Sequence, residues 1–164
     1  MQKAIKTEKI IKESFKKCVK EHGFEKVTIS MICEEGLISR NAFYLHFTDK
    51  YDLLDRIFDE FEKDFIKKCR LELSEDIKNK IFFNETSWYV DTVISNRKDF
   101  AFLIGCSRER VEEVMQKAVI EMPVRKIFPK FDEKLNSIFV KLNIKYILSA
   151  MVAYTELWLK NYDK

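Results

Sequence analysis

Apolar residues recur at intervals of three and four along most of the chain, and this spacing predicts amphipathic helices. The first stripe lies within residues 4–22 and contains Ile11, Phe15, Cys18 and Val19. Another begins near residue 50 and continues at the same spacing. The chain has only three glycines and two prolines, so long helices are allowed and a turn-rich β architecture is disfavoured. The pattern therefore predicts an all-α fold.

Two short helices are predicted between these long ones. Gly23 is a natural stop for the first helix. Thr28 can N-cap a second helix in "ISMICEE", and Ser39 can N-cap a third over residues 40–47. A fourth helix then begins at or near Lys50. Two short helices joined by a tight turn that contains glycine are typical of the helix-turn-helix motif.

The remaining sequence predicts further helices. Their expected ranges are about 50–72, 75–96, 99–121 and 132–162, and Gly105 is a candidate break inside the helix over residues 99–121. The segment that contains Pro123 and Pro129 interrupts the pattern before the last helix. We therefore expect an N-terminal three-helix domain over residues 1–50 and a second helical domain over residues 51–164.

The third predicted helix combines core residues with residues that suit DNA. Phe43 and Phe47 lie four residues apart, so both are expected to dock inward. Docking in this way leaves Arg40 and Asn41, at the start of the helix, to enter a major groove, where these side chains read base edges. The helix is thus predicted to be half core and half ligand surface.

The distribution of charge supports an anionic partner for this end of the chain. The whole chain has 30 basic and 27 acidic residues, and its first 50 residues hold 10 basic against 7 acidic. All of the positive excess therefore lies in the first third. Tyr44 and His46 can donate hydrogen bonds to phosphates, and Lys50 can add a point charge near the DNA backbone.

Residues 27–54, "VTISMICEEGLISRNAFYLHFTDKYDLL", closely resemble the DNA-binding signature of the TetR/AcrR family of bacterial transcriptional regulators. The resemblance extends back through "KIIKESFKKCVKEHGF" and covers about residues 5–55. It implies contacts between DNA phosphates and four residues: Thr28, Tyr44, His46 and Lys50. It also implies a set that faces the major groove: Ser39, Arg40, Asn41, Ala42 and Leu45.

The turn between the two short helices departs from the family pattern. Family members usually have Ala-Gly where this chain has Gly36 and Leu37. A positive φ at Leu37 would be costly, so we expect the turn to use Gly36 instead and to shift slightly.

The last predicted helix has an unusually wide apolar surface. One stripe contains Ile147, Met151, Tyr154 and Trp158, and a second stripe beside it contains Leu148, Val152, Thr155 and Leu159. Such a width favours packing against a second copy, as the resemblance also implies. The predicted dimer interface is Ile147, Met151, Tyr154, Thr155 and Trp158. The alternative is a central helix buried within one subunit.

Aromatic residues cluster between residues 82 and 102, where the resemblance implies a pocket for a small apolar or amphipathic effector. The predicted lining residues are Phe82, Trp88, Tyr89, Phe102 and Met115. A phenylalanine-rich helical core without a cavity would give the same pattern, so that interpretation stays open.

Other classes of protein find little support in the sequence. It contains no glycine-rich phosphate loop, no metal-ligand spacing and no nucleophile with a plausible base, so we expect no enzyme, no metal and no cofactor. The four cysteines are far apart and are expected to be reduced. No apolar run reaches ~18 residues and no secretory signal is recognised, so a cytoplasmic protein with no membrane partner is expected.

The sequence and the resemblance together predict a homodimeric regulator that binds a near-palindromic operator in double-stranded DNA. It is expected to be a repressor that a small-molecule effector releases. The alternative is a helical interaction or adaptor module that keeps the fold and has lost regulated operator binding. Duplex binding that weakens with salt would favour the regulator, whereas the adaptor predicts none at any salt.

Overall fold

The computed structural model describes residues 2–78, 93–121 and 138–162, and no strand occurs within these ranges. The expected all-α fold is confirmed. The helices are α1 (Gln2–His22), a 3-10 turn (Phe24–Lys26), α2 (Ile29–Glu35), α3 (Arg40–Tyr44), α4 (Lys50–Lys78), α5 (Arg97–Cys106), α6 (Arg108–Glu121) and α7 (Ile138–Tyr162). Helix α4 continues past residue 72, where the sequence predicted its end.

The chain divides into two compact units, Met1–Glu60 and Phe61–Lys164. The boundary lies later than the expected one at residue 50, because the start of α4 packs within the first unit. Tyr51 stacks edge-on against Phe24 with ring centroids 5.5 Å apart. Lys12 of α1 forms an ion pair of 2.6 Å with Glu60.

The core of the first unit contains residues of the predicted helical stripes together with Leu53, which they did not include. Ile11, Phe15, Ile32, Phe43 and Leu53 are completely buried. They come from all four helices of the unit, so α2 and α3 are packed on a platform made by α1 and the beginning of α4. This packing stabilises two helices that are too short to be stable alone.

Hydroxyl caps set where the two short helices begin. The Thr28 side chain accepts a hydrogen bond from the Met31 amide at 3.3 Å, and the Ser39 side chain accepts one from the Ala42 amide at 3.1 Å. Each cap satisfies an amide that has no partner within its helix. Helix α3 ends at Tyr44, earlier than the predicted residue 47.

The turn between α2 and α3 is the reverse of the expected one. Leu37 takes the positive φ of 51°, while Gly36 has an ordinary helical φ of −83°. The glycine is needed for space: a Cβ at Gly36 would lie 2.9 Å from Ser14 Oγ and 3.1 Å from Ile10 Cγ2. Close approach to α1 thus requires glycine at residue 36, and the strained conformation falls on Leu37, whose side chain is 94% exposed.

The described part of the second unit contains the end of α4 together with α5, α6 and α7, and aromatic rings join α4 to α5. Phe61 and Phe65 of α4 stack at 5.5 Å, and Phe100 of α5 meets them edge-on at 5.2 and 5.7 Å. Gly105 does not break the helix that was predicted over residues 99–121. The break lies at Ser107, which is extended and whose hydroxyl accepts a hydrogen bond from the Arg110 amide at 3.4 Å.

The two apolar stripes of α7 have different environments. Leu148, Val152, Thr155 and Leu159 are buried within the unit. Ile147 and Tyr154 are 55% and 67% exposed. Thr155 was expected at a dimer interface, but it is only 2% exposed and lies on the inward stripe, which argues against a role in an interface.

Replacing Leu37 by glycine is expected to raise the free energy of unfolding by about 0.5–1 kcal/mol. Relief of the left-handed conformation contributes about 1–2 kcal/mol, and the greater freedom of glycine in the unfolded chain offsets part of it. Urea unfolding measures the change. Leu37→Ala is the matched control, because it removes the exposed side chain and keeps the positive φ. An equal gain in both variants would assign the effect to the leucine side chain instead.

Gly36→Ala is expected to have the opposite effect and to lower the free energy of unfolding by roughly 1–3 kcal/mol, because the new methyl group overpacks the contact with α1. The same unfolding assay measures it. Adding Ser14→Ala removes the nearest atom and should recover part of the loss. No recovery in the double variant would place the conflict elsewhere, at Ile10 or at the Ile32 carbonyl, which lies 3.3 Å from the added Cβ.

Candidate nucleic-acid interface

Helix α3 presents polar side chains to solvent while aromatic residues anchor it. Phe43 and Phe47 are buried, with ring centroids 5.9 Å apart. The residues predicted to face the groove lie on the other side of this anchor: Ser39, Arg40, Asn41 and Leu45 are exposed, and Ala42 is half-buried. The structure therefore brings these five residues together on one short, solvent-facing element.

Arg40 is held by a residue that the sequence did not single out. Its guanidinium Nη2 donates a hydrogen bond to the hydroxyl of Ser30, in the first turn of α2. The bond joins the two helices of the motif at the surface and restricts the orientation of an exposed arginine. The only signal in the sequence is a polar residue between Ile29 and Met31, which is too weak to predict the pairing.

The two capping hydroxyls keep a donor for a further partner. A hydroxyl can accept and donate at once. Thr28 and Ser39 use acceptor capacity in the N-caps, and both residues are exposed. Each hydroxyl hydrogen can therefore be offered to a phosphate oxygen without loss of the cap.

Tyr44 and His46 occupy different environments. Tyr44 is exposed, and its ring lies edge-on to Phe43 at 5.6 Å. His46 is half-buried, with its ring 6.3 Å from that of Phe47. The hydrogen bond from Lys12 lowers the pKa of Glu8, and the charge of His46 makes a smaller contribution in the same direction.

Lys50 does not offer a free ammonium group. Its Nζ donates to the carbonyl oxygens of Phe24 and Glu25, both at 3.0 Å, and to that of Val27 at 3.1 Å. A lysine ammonium has three donors, and all three are used within the protein. This geometry argues against the direct phosphate contact that the resemblance implied.

Other lysines of the first unit also have internal partners. Lys12 pairs with Glu8 at 2.7 Å as well as with Glu60, and Lys17 of α1 pairs with Glu35 of α2 at 2.6 Å. These ion pairs engage two lysine ammonium groups of the first unit with carboxylates of the protein. The candidate interface therefore depends more on hydroxyls and on Arg40 than the count of charges suggests.

The predicted effector pocket is only partly covered by the structure. Phe82, Trp88 and Tyr89 lie outside the described residues. Phe102 is half-buried on α5, and Met115 is buried on α6. A cavity of about 110 Å³ lies between α6 and α7, but its lining is largely charged: Glu109, Glu112, Glu113, Gln116, Lys145 and Leu148. It contains none of the predicted lining residues, so the effector pocket stays a prediction.

The part of the chain that the structure describes offers neither a reactive thiol nor a cluster of metal ligands. Cys18, Cys33 and Cys106 are free, and burial raises the pKa of each thiol, that of Cys106 to about 12. These thiols are therefore poor nucleophiles at neutral pH. Among the described residues, no group of three histidine, cysteine or carboxylate side chains could hold a metal ion. None of the described helices has the length and apolarity that a bilayer crossing requires.

The geometry of residues 28–47 defines a class of protein. Two capped helices meet at a tight turn, and the second is buried on one side and polar on the other, which is the architecture of a helix-turn-helix protein. Residues 16–57 match the model of the family described as bacterial regulatory proteins, tetR family. The N-terminal helix-turn-helix region is therefore a domain of the tetR type.

A curated relative agrees with this assignment. The chain is 35% identical over 65 residues to the HTH-type dhaKLM operon transcriptional activator DhaS of Lactococcus lactis subsp. lactis (strain IL1403). The match covers 40% of this chain and 33% of the relative, so the similarity extends over about a third of that protein. No solved structure matches the chain.

Proposed function

We propose that the chain is a homodimeric, sequence-specific DNA-binding regulator of transcription that acts in the cytoplasm on a near-palindromic operator. The observation that carries the proposal is helix α3, whose exposed polar residues stand on a fully buried aromatic anchor. This arrangement holds a helix rigidly while leaving its outer side free to enter a major groove.

Each exposed side chain of α3 suits a particular contact. Arg40 matches the paired acceptors of a guanine edge, and Asn41 matches the donor and acceptor of adenine. Ala42 and Leu45 can contact the methyl group of thymine. Ser39 lies at the entry to the same groove.

The phosphate contacts are assigned to side chains that still have a donor to offer. Thr28 retains its hydroxyl hydrogen, and Tyr44 is exposed. His46 is half-buried beside Phe47 and is proposed as a further phosphate contact. These contacts fix the register of the motif on the duplex but read no sequence.

The exposed side of α7 is the proposed dimer interface. Six large apolar residues of this helix are more than half exposed: Ile138, Leu142, Tyr146, Ile147, Tyr154 and Leu157. A contiguous apolar surface of this kind marks an interaction site. Met151 and Trp158 are half-buried at its edge. A second copy is the proposed occupant, because a two-fold dimer would present two recognition helices to the two halves of an operator.

Repression with release by a small apolar or amphipathic effector is the proposed mode of action. The lactococcal relative is named an activator. Repression is therefore proposed for this chain independently of that name. A promoter fusion in cells with and without the gene measures it: higher output without the gene means repression, and lower output means activation. Failure to bind any duplex at any salt would favour the adaptor alternative.

Arg40→Ala is expected to weaken binding to the cognate operator by about 1–3 kcal/mol and to relax the preference at one base position, because it removes a bidentate base contact. Titration of the operator and of random duplexes measures both effects. Arg40→Lys is the matched control, since it keeps the charge and loses the planar pair of donors. An equal loss on cognate and random DNA would assign Arg40 to the backbone.

Glutamate at both Ile147 and Tyr154 is expected to give a folded monomer, because two charges would have to be buried in the proposed interface. Sedimentation measures the mass, and the monomer should lose most of its affinity for an operator with half-sites roughly 34–36 Å apart. Lys98→Glu is the control, an exposed charge change on α5. A persistent dimer would place the interface elsewhere, with the helix over residues 107–121 as the next candidate.

A further inference from the structure

The ammonium group of Lys50 occupies a small cage of carbonyl oxygens. Lys50 is the first residue of α4, and its three acceptors belong to residues 24, 25 and 27, which form and follow the 3-10 turn. The three distances lie between 3.0 and 3.1 Å. The ammonium is also 4.8 Å from the centre of the Phe24 ring and 5.4 Å from that of Tyr51.

We infer that Lys50 is a positioning residue of the DNA-binding motif, which caps the 3-10 turn and so fixes the start of α2, and that it is not a phosphate ligand. This inference rests on the proposed function for its effect on DNA. The cage itself is a property of the protein alone and can be tested without DNA.

Lys50 adds to the backbone bonding of the turn. The Phe24 carbonyl already accepts the Val27 amide at 3.3 Å and takes Lys50 as a second donor, and Lys50 also binds the carbonyls of Glu25 and Val27. The turn joins α1 to α2, and the Val27 carbonyl immediately precedes the N-cap residue Thr28. A single cation that binds all three oxygens therefore joins the beginning of α4 to the beginning of α2.

A phosphate contact would conflict with this arrangement. Lysine has three donors and no others, so a hydrogen bond to a phosphate would require one carbonyl bond to be given up. Charge-assisted hydrogen bonds are stronger than neutral ones, and the Phe24 and Val27 contacts are partly buried, which makes them costly to leave unmade.

The chemistry of the cage distinguishes lysine from arginine. Three carbonyls that converge on one point suit the compact ammonium group. The guanidinium has a planar fork of donors that cannot converge in this way. Lys50→Arg therefore keeps the charge and loses the cage, while Lys50→Met loses both and keeps an unbranched apolar side chain. A phosphate contact would tolerate the arginine.

The experiment compares these two variants with Lys26→Met, which removes an exposed lysine from the same turn. The first measurement is hydrogen exchange of the backbone amides of residues 27–33, at a temperature where circular dichroism shows every variant to be folded. Both Lys50 variants are expected to exchange roughly tenfold faster than wild type, and Lys26→Met should not.

The second measurement is operator affinity as a function of salt in the same folded samples. Both Lys50 variants should bind roughly three- to tenfold more weakly, with the slope of log K against log salt within about 0.3 of wild type. Loss of a phosphate contact would reduce that slope by about 0.9. Wild-type affinity in Lys50→Arg together with a slope reduced by half a unit or more in Lys50→Met would overturn the inference.

The two proposals fail in different ways. If the wild-type protein binds no duplex, the proposed function fails, and the exchange measurement still tests the cage. If exchange of residues 27–33 is unchanged in both Lys50 variants, the cage has no positioning role, whatever the protein binds. Faster exchange with undiminished operator affinity would also overturn the inference, because α2 would then be loosened without consequence for DNA.

Discussion

The burial of Phe43 and Phe47 is the interaction on which the DNA-facing surface depends. Helix α3 has only five residues, too few to be stable in water by itself. Its conformation comes from the two rings packed into the core of the first unit. Because the two rings are buried, the polar residues before and between them are directed towards solvent. One packing interaction thus forms the helix and orients the side chains that the proposed function uses.

Helix α2 is constrained at both of its ends, in two different ways. At its C-terminal end, Gly36 allows close approach to α1, and the cost appears as a positive φ at exposed Leu37. At its N-terminal end, the Thr28 cap follows the turn whose carbonyls bind Lys50. A strained residue therefore lies at one end of this seven-residue helix, and a charged group lies at the other. Helix propensity alone could not fix the position of so short a helix.

The sequence predicted the features that depend on local spacing. Intervals of three and four, together with residue type, predicted the buried stripes, both hydroxyl caps and the aromatic anchor of α3. The features it missed depend on distant neighbours. The acceptors of Lys50 lie 23 to 26 residues earlier in the chain, and the glycine requirement at residue 36 comes from α1. For α7, the spacing showed how wide the apolar surface is. It could not show that the stripe with Thr155 faces inward, since that depends on α5 and α6.

The ion pairs within the first unit bear on the proposed homodimer. Lys12 and Lys17 are paired within the first unit, and Lys50 is engaged by carbonyls, so these cations contribute little counterion release. In the proposed mode of binding, direct readout by Arg40 and Asn41 would supply the specificity, with few phosphate contacts to support it. Joining two such weak modules makes the second binding event intramolecular and raises the affinity without any new contact. The exposed apolar side of α7 is the described surface that could join them, which connects the charge distribution of the first unit to the hydrophobic pattern of the last helix.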